Sequence, residues 1–316
     1  MRILVIGATG HIGSYLIPRL VTLGHQVMAM SRGEHSPYIE NAAWRNVERL
    51  TIDREAEEIS GTFAKNVLET KPDAVIDLIC FTPASARTMV EALRGVVGHY
   101  LFCGSIWVHG HSTVVPTTEL VPRHPFGDYG IRKAEIEELL LTAAHRQGFP
   151  ASILHPGHIV GPGWVPLNPA GNFDISVYSR LARGGRVALP NLGLETVHHV
   201  HADDVASAFV GALANWSNAV GESFHVVSPA AVTLRGFAEA VASWFGTEAD
   251  LEFLPWPEWK KRAAPELADA TWDHIAHSPS CSIEKARSRI GYSPRFTSLE
   301  AVFESLEWLK QSGRLP

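Results

Sequence analysis

Short apolar runs alternate with amphipathic segments through the first half of the chain. The apolar runs predict six strands, at residues 3–6, 26–30, 47–52, 74–79, 99–103 and 151–154. The spacing of apolar residues between them predicts helices at 11–23, 55–70, 84–93 and 128–145. Near-continuous apolar strands that alternate with helices are typical of a parallel sheet covered on both faces. We therefore predict a doubly wound α/β domain.

The pattern changes after residue 160. Residues 161–200 are rich in Gly, Pro and Asn and contain one helical run, at 175–182. Later segments predict a helix at 203–214, a strand at 223–227 that rejoins the sheet, and mostly helical structure over 229–316. This organisation predicts a sheet domain made of 1–160 and about 201–228, and a smaller, discontinuous α/β lobe made of 161–200 and 229–316.

Three glycines, Gly7, Gly10 and Gly13, lie between the first predicted strand and the first predicted helix. In doubly wound folds this turn binds the pyrophosphate of a dinucleotide. The first glycine forms the tight turn, the second lets the backbone approach the phosphates, and the third lets helix and strand pack closely. Tight turns that bind no ligand also use glycine, but the strand-to-helix context favours a dinucleotide.

The end of the second predicted strand bears on the choice of cofactor. Ser31 and Arg32 occupy the positions where an NAD site carries an acidic residue for the ribose hydroxyls. An arginine there suits a 2′-phosphate, so we predict NADP, with NAD possible; the alternative is a solvated loop arginine. Asp53, just past the third strand, is expected either to accept from the adenine amino group or to cap a helix.

Tyr129 and Lys133 lie four residues apart in a predicted helix, which places both side chains on one face. A phenol has a pKa of about 10, and a nearby ammonium lowers it, so the pair suits acid/base chemistry. Ser105 follows the fifth predicted strand, at the sheet edge where ligands bind. The alternative is that Tyr129 and Lys133 are simply part of a solvated helix face.

Together with "LHPGHIVGPG" and "HVHADDVA", these motifs resemble the extended short-chain dehydrogenase/reductases of the epimerase/dehydratase family. The resemblance covers nearly the whole chain and implies an NAD(P)-binding Rossmann domain, a substrate lobe and a catalytic triad. In that triad Tyr129 is the acid/base, Lys133 holds the nicotinamide ribose and tunes Tyr129, and Ser105 orients the reacting oxygen.

The resemblance also implies further contacts and an assembly. It extends the cofactor site to Thr9, His11, Ile12, Leu78, Ile79 and Gly157. It implies a homodimer formed through the helices at 84–93 and 128–145.

Departures from the family pattern bear on the substrate. Ile106 and Trp107 occupy the positions of the Asp-Glu pair of sugar-nucleotide dehydratases, so we expect no dehydratase activity. Val197 replaces an arginine that grips a diphosphate, and His158 replaces an asparagine that contacts sugar or phosphate. We expect a substrate that lacks a diphosphate or is held differently, contacted by Ser105, Trp107 and His158. Core packing for Trp107 and a structural role for His158 are the alternatives.

Composition excludes several classes of protein. The formal net charge is −6 and the sequence has no Lys/Arg-rich run, so we expect no nucleic-acid partner. Three widely spaced cysteines make a disulfide framework or zinc site improbable. Several histidines fall near the expected pocket, but without a zinc-binding spacing, so we predict no metal. The sequence has no signal-like segment or apolar run of membrane length, so we expect a cytoplasmic protein without membrane contact.

Three functions remain open at this stage. The first is an NADP-dependent oxidoreductase acting at a ketone or secondary alcohol of a small polar, sugar- or nucleoside-like metabolite. The second is an epimerase of a sugar or sugar nucleotide that retains its cofactor. The third is a non-enzymatic nucleotide-sensing or RNA-binding relative, which typically lacks the triad residues that this chain keeps.

Overall fold

A computed structural model describes residues 1–316. Its strands are β1 (Arg2–Ile6), β2 (Gln26–Ser31), β3 (Glu48–Thr51), β4 (Ala74–Asp77), β5 (His99–Cys103), β6 (Ala151–Pro156), β7 (His158–Val160), β8 (Val187–Pro190), β9 (Thr196–Val197), β10 (His199–His201), β11 (Ser223–Val226), β12 (Val232–Thr233) and β13 (Leu251–Leu254). Seven of them form one parallel sheet in the order β11–β6–β5–β4–β1–β2–β3. The predicted doubly wound sheet is confirmed.

Helices cover the sheet and build most of the second lobe. They are α1 (His11–Thr22), α2 (Arg54–Ser60), α3 (Phe63–Glu69), α4 (Pro83–Leu93), α5 (Gly127–Gln147), α6 (Ile175–Ala182), α7 (Ala202–Ala214), α8 (Trp216–Ala219), α9 (Leu234–Trp244), α10 (Trp256–Arg262), α11 (Pro265–His277), α12 (Glu284–Ile290) and α13 (Ser298–Gln311). Short 3-10 helices cover Ala42–Asn46 and Ile106–His109. None of the helices is both long enough and apolar enough to cross a bilayer.

The two faces of the sheet have separate apolar cores because side chains alternate along each strand. In β1, Ile3 and Val5 join a core that includes residues of α1 and α7, while Leu4 and Ile6 join one that includes residues of α4 and α5. A third core lies between residues 160 and 315 and forms the second lobe. Gly13 allows α1 to lie close to the preceding turn, since a Cβ there would lie 2.1 Å from the Ala8 carbonyl oxygen.

The strand order fixes where a ligand can bind. The chain runs outward from β1 through β2 to β3 and then returns to β4 on the other side of β1. Where the strand order reverses in this way, a crevice forms at the carboxyl ends of the strands. This crevice is the usual ligand site of doubly wound sheets.

Some predicted boundaries were wrong. The single helix predicted at 55–70 is two helices, because Gly61 adopts a left-handed φ of +74° and ends α2. Strand β4 ends at Asp77, so Leu78 and Ile79 lie in the loop that follows. Strand β6 continues to Pro156, because Val226 of β11 pairs with it.

Three two-stranded sheets lie outside the main one. They pair β7 with β10, β9 with β12, and β8 with β13. The sequence pattern did not predict these pairs, because each strand is only two to four residues long.

The division into two lobes stays a prediction, and core packing adds one detail to it. Segment 281–292, predicted within the substrate lobe, contributes Cys281, Ile283, Ala286, Ile290 and Tyr292 to the core containing α1 and α7. The chain therefore returns to the sheet domain before α13 packs in the second lobe.

Candidate active site

A cavity of about 600 Å³ lies at the carboxyl ends of the first strands. Its lining includes seven of the residues predicted to bind cofactor, namely Gly7, Thr9, Gly10, Ser31, Arg32, Asp53 and Ile79. The structure therefore brings the glycine loop together with the ends of β2 and β3.

The glycine loop fits a dinucleotide pyrophosphate. Gly7 turns the chain with a φ of +84°, and Gly10 is the N-terminal cap of α1. No side chain caps α1 and its first turn has no acidic residue, so its free N–H groups and partial positive charge remain available to an anion.

The other residues predicted to bind cofactor do not line this cavity. Ile12, Gly13, Leu78 and Lys133 are buried. Gly157 allows a close strand approach, because a Cβ there would lie 2.3 Å from the His198 carbonyl oxygen. The remaining two, His11 and Tyr129, are considered below.

The His11 ring packs against aromatic side chains. It stacks on Trp164 at 3.4 Å between ring centroids and lies 4.6 Å from Tyr38. Burial lowers the pKa of His11 to about 4, so its side chain is neutral at physiological pH.

Arg32 and Asp53 have different interaction partners. Arg32 is mostly exposed and forms an ion pair with Glu34, with 3.1 Å between Nη2 and Oε2. The Asp53 carboxylate accepts the Ala56 backbone N–H at 3.1 Å and caps α2. Of its two predicted roles, the structure therefore shows the cap, and the residue also lines the cavity.

A buried polar network that the sequence analysis missed lies beside this cavity. Arg54 donates to Asp77 at 2.8 Å and to Glu58 at 2.7 Å, and the Tyr100 hydroxyl donates to Asp77 at 2.8 Å. Asp77 is fully buried, and the Nη2 of Arg54 has no partner. An aspartate at the end of an apolar strand, as at Asp77, is the sequence signal that could have revealed it.

The three predicted triad residues lie near one another at the end of β5. Ser105 caps the 3-10 helix after β5, and its Oγ accepts the Trp107 backbone N–H at 3.2 Å. The Tyr129 ring lies 6.0 Å from that of Trp107, two residues after Ser105. Lys133 is buried, and its Nζ donates to the carbonyl oxygens of Cys80 and Cys103 at 2.9 and 2.8 Å.

The predicted lowering of the tyrosine pKa is wrong for this structure. Tyr129 as a residue is 45% exposed, but burial around its hydroxyl raises the pKa to about 12. The interaction with Ser105 opposes this rise only in part. Burial also lowers the pKa of Lys133, whose ammonium donates to main-chain carbonyls.

A second buried polar network contacts the main chain of Ser105. Glu137 lies one helical turn beyond Lys133 and accepts two hydrogen bonds from Arg123, at 2.7 and 3.0 Å. The same carboxylate lies 3.1 Å from His155 Nε2. The Nδ1 of His155 is 2.7 Å from the Ser105 carbonyl oxygen and 3.1 Å from its backbone nitrogen. This chain of contacts fixes the main chain at Ser105.

Aromatic and imidazole rings surround Trp107 beside the triad. The Trp107 ring lies 6.0 Å from Tyr129, 6.4 Å from His158, 5.3 Å from His274 and 4.2 Å from His277, measured between centroids. The predicted substrate residues Trp107 and His158 therefore lie near the triad. His274 and His277 come from α11 and were not predicted.

His158 has one free ring nitrogen. Its Nδ1 lies 3.3 Å from the His198 carbonyl oxygen, and its Nε2 is buried without a partner. Burial and the neighbouring histidines hold the pKa of His158 well below its ordinary value. A neutral ring whose Nδ1–H donates to the carbonyl presents Nε2 as a hydrogen-bond acceptor.

Four further histidines and the three cysteines are buried. His109 Nε2 and His225 Nε2 lie 2.7 Å apart, and His198 and His199 are buried. No group of three or more His, Cys, Asp or Glu side chains is arranged to hold a metal ion. The three cysteines are free and buried.

The sequence model described as the NAD dependent epimerase/dehydratase family matches residues 3–226. This chain belongs to that family. It is an enzyme of the oxidoreductase/epimerase kind, built on a fold whose relatives depend on NAD-type cofactors.

Three relatives illustrate the range of activities to which the chain is similar. The 2'-dehydrokanamycin reductase of Streptomyces kanamyceticus is 29% identical, over 87% of this chain and 76% of its own. A UDP-glucose 4-epimerase of Mycolicibacterium smegmatis is 25% identical, over 99% and 100%. The chloroplast stem-loop binding protein of 41 kDa b of Arabidopsis thaliana is 27% identical, over 96% and 78%.

A solved structure supports the fold. The crystal structure of UDP-glucose 4-epimerase with UDP-glucose from Thermotoga maritima superposes with a TM-score of 0.75 at 20% identity. The match covers 99% of both chains, so the two proteins share a fold over nearly their whole length.

We predict that Glu137→Gln lowers the free energy of unfolding by about 2–3 kcal/mol at pH 7, because it breaks a buried charge-assisted network. Urea denaturation measures this loss, with Glu138→Gln at the exposed neighbouring position as the control.

The difference in free energy of unfolding between wild type and Glu137→Gln should depend on pH. Burial alone would raise the pKa of Glu137, but His155 and Arg123 outweigh it and hold the pKa well below its ordinary value. Below about pH 4 the unfolded chain takes up a proton that the folded one does not, so the stabilisation is lost as the pH falls. The difference between wild type and Glu137→Gln should therefore shrink there; a constant difference from pH 7 to pH 3 would contradict this account.

Proposed function

We propose that this protein is an NADP-dependent oxidoreductase acting at a ketone or secondary alcohol of a small polar, sugar- or nucleoside-like metabolite. The observation that carries the proposal is the arrangement at the end of β5: Ser105 follows the strand, the Tyr129 ring lies beside Trp107, and buried Lys133, one turn along α5, donates to the Cys103 carbonyl oxygen. Similarity to a 2'-dehydrokanamycin reductase supports it.

In the proposed reaction each side chain has one task. The bound nicotinamide supplies the hydride in reduction and accepts it in oxidation. Tyr129 gives its proton to the carbonyl oxygen as an alcohol forms, and Ser105 donates a hydrogen bond to that oxygen. Lys133 would hold the nicotinamide ribose and keep its positive charge close to the Tyr129 phenol. Trp107 and His158 form one wall of the substrate pocket.

The acidity of Tyr129 favours the reductive direction. A phenol with a pKa of about 12 is protonated throughout the physiological range, so it is ready to act as an acid. Oxidation needs the phenolate, which is scarce at neutral pH when the pKa is this high. The protonated phenol therefore supports ketone reduction as the proposed direction.

Arg32 supports the choice of NADP over NAD. Its guanidinium lines the cofactor cavity at the end of β2, and its exposed ion pair with Glu34 costs little to break. A 2′-phosphate would replace that pairing with a charge-assisted, bidentate contact. The glycine loop alone would serve NAD equally well.

Cofactor-retaining epimerisation is the second candidate, favoured by the similarity to UDP-glucose 4-epimerase. A bound nicotinamide would take up one hydride and return it, while Tyr129 would remove and return the hydroxyl proton. A reductase should consume added NADPH steadily when supplied with keto sugars or nucleoside ketones. Tightly co-purifying cofactor and conversion without net NADPH loss would instead support the epimerase.

A non-enzymatic role is disfavoured despite the stem-loop binding relative. The chain keeps Ser105, Tyr129 and Lys133 and has a net charge of −6, which opposes binding to a phosphate backbone. We therefore propose no nucleic-acid or membrane partner and a cytoplasmic location.

We retain the homodimer as a proposal. The helices α4 and α5 pack side by side. The groove between them carries charges of both signs, from Arg87, Glu91, Arg94, Glu135 and Glu138, that a second copy could pair.

We predict that Arg32→Ala weakens NADPH binding about 10-fold to 100-fold, the value of one charged hydrogen-bond contact, and leaves NADH binding nearly unchanged. Fluorescence titration of both cofactors measures this. Arg45→Ala, at an exposed position outside the cavity, is the control. Equal losses for both cofactors would reject the NADP assignment.

We predict that Tyr129→Phe lowers kcat about 10²–10⁴-fold while leaving NADPH affinity close to wild type, because only the transferable proton is removed. In the wild type, kcat for reduction should stay flat through neutral pH and fall as the pH approaches the Tyr129 pKa of about 12. For oxidation, kcat should rise with pH over the same range.

The control for this variant is Tyr292→Phe, which removes a hydroxyl bonded to the Val227 carbonyl away from the site. A folded, cofactor-loaded Tyr129→Phe enzyme with near wild-type turnover would falsify the mechanism.

A further inference from the structure

Four rings form a continuous stack beside the triad. The Trp107 and His277 centroids are 4.2 Å apart with planes inclined by 18°, and those of His277 and Phe126 are 4.0 Å apart at 28°. His111 continues the stack beyond Phe126 at 4.4 Å and 21°. The His277 ring is therefore held between Trp107 and Phe126.

Those two neighbours belong to the two segments that carry Ser105 and Tyr129. Trp107 follows Ser105 by two residues, and its backbone N–H donates to the Ser105 Oγ at 3.2 Å. Phe126 is the N-terminal cap of α5, three residues before Tyr129. One ring from α11 thus contacts both segments.

Hydrogen bonds fix the position of that ring. The His277 Nδ1–H donates to the Asp273 carbonyl oxygen at 2.6 Å, and the Ser112 backbone N–H donates to the His277 carbonyl oxygen at 3.1 Å. The His111 Nδ1 lies 2.7 Å from the Ala276 carbonyl oxygen. The last carbonyls of α11 are therefore bound to the segment that follows Ser105 and Trp107.

Helix α11 is otherwise an element of the second lobe. Ala268 and Ile275 pack in the core of that lobe. One turn before His277, the His274 ring lies 4.8 Å from His158 and 5.8 Å from Phe173. The same helix therefore places one histidine beside His158 and contacts the Ser105 and Tyr129 segments with the next.

We propose that His277 is a positioning residue, whose ring sets the placement of the Ser105 segment relative to the Tyr129 segment. Because the ring comes from the second lobe, the geometry of the triad depends on how that lobe packs against the sheet domain. The inference rests on the proposed function only for the roles of Ser105 and Tyr129.

Hydrogen–deuterium exchange of the full chain tests the contact without a known substrate. We expect His277→Ala to raise exchange several-fold in both 104–112 and 124–133, and His277→Phe, which keeps a flat ring, to restore it. The control is Phe303→Ala, which removes one ring of the Trp244–Phe303 stack elsewhere in the second lobe. It should leave both segments unchanged.

The Tyr129 ring gives a second readout. The chain has six tyrosines, so ¹³Cζ-tyrosine NMR can resolve Tyr129, with Tyr129→Phe as the assignment. We expect its resonance to move in His277→Ala and to return in His277→Phe. If His277→Ala does not fold, His277→Leu keeps much of the volume without a stacking ring and should move the resonance in the same way.

The outcomes separate this inference from the proposed function. Unchanged exchange and an unchanged Tyr129 resonance in His277→Ala would overturn the inference, and so would loosening spread equally over α9, which marks a general packing residue. His277→Phe loses the hydrogen bond to the Asp273 carbonyl but keeps a flat ring, so restoration of neither signal even in part would also overturn the inference. A positive result together with an active Tyr129→Phe enzyme would reject the proposed function and leave the positioning role intact.

Discussion

The buried ammonium of Lys133 is the interaction on which the rest of the site depends. It donates to the carbonyl oxygens of Cys80 and Cys103 and lies 4.7 Å from the centroids of both Phe81 and Phe102. A charge taken out of water must find such partners, or the fold loses several kcal/mol. The carbonyls belong to the loop after β4 and the end of β5, so one side chain of α5 ties these strand ends together.

Helix α5 acts on the site through one face. Tyr129, Lys133 and Glu137 are spaced four residues apart, so the acid, the buried cation and the buried carboxylate lie in a row. Glu137 reaches the Ser105 main chain through His155, while the Tyr129 ring lies 6.0 Å from that of Trp107, two residues after Ser105. The Ser105 main chain and the end of β5 are thus held at two levels of the same helix, and burial raises the pKa of the Tyr129 phenol to about 12.

Beside Ser105 and Tyr129, the contact between the sheet domain and α11 of the predicted second lobe is made by rings. Trp107 is the common neighbour of Tyr129 from the sheet domain and of His274 and His277 from α11. Neutral, close-packed rings transmit displacement because interiors are dense and yield little. A substrate between Tyr129 and the second lobe would therefore be enclosed by the same groups that hold the triad in place.

The sequence by itself determined the features that depend on neighbours along the chain. Strands β1 and β5, the helix carrying Tyr129 and Lys133, and the turn at Gly7 and Gly10 follow from periodicity and backbone freedom over a few residues. Only the tertiary structure decided which distant groups meet, as at Arg54 with Asp77, Glu137 with His155, and His277 with Trp107. It also decided the direction of the Tyr129 pKa, because burial is set by surrounding elements that no local spacing describes.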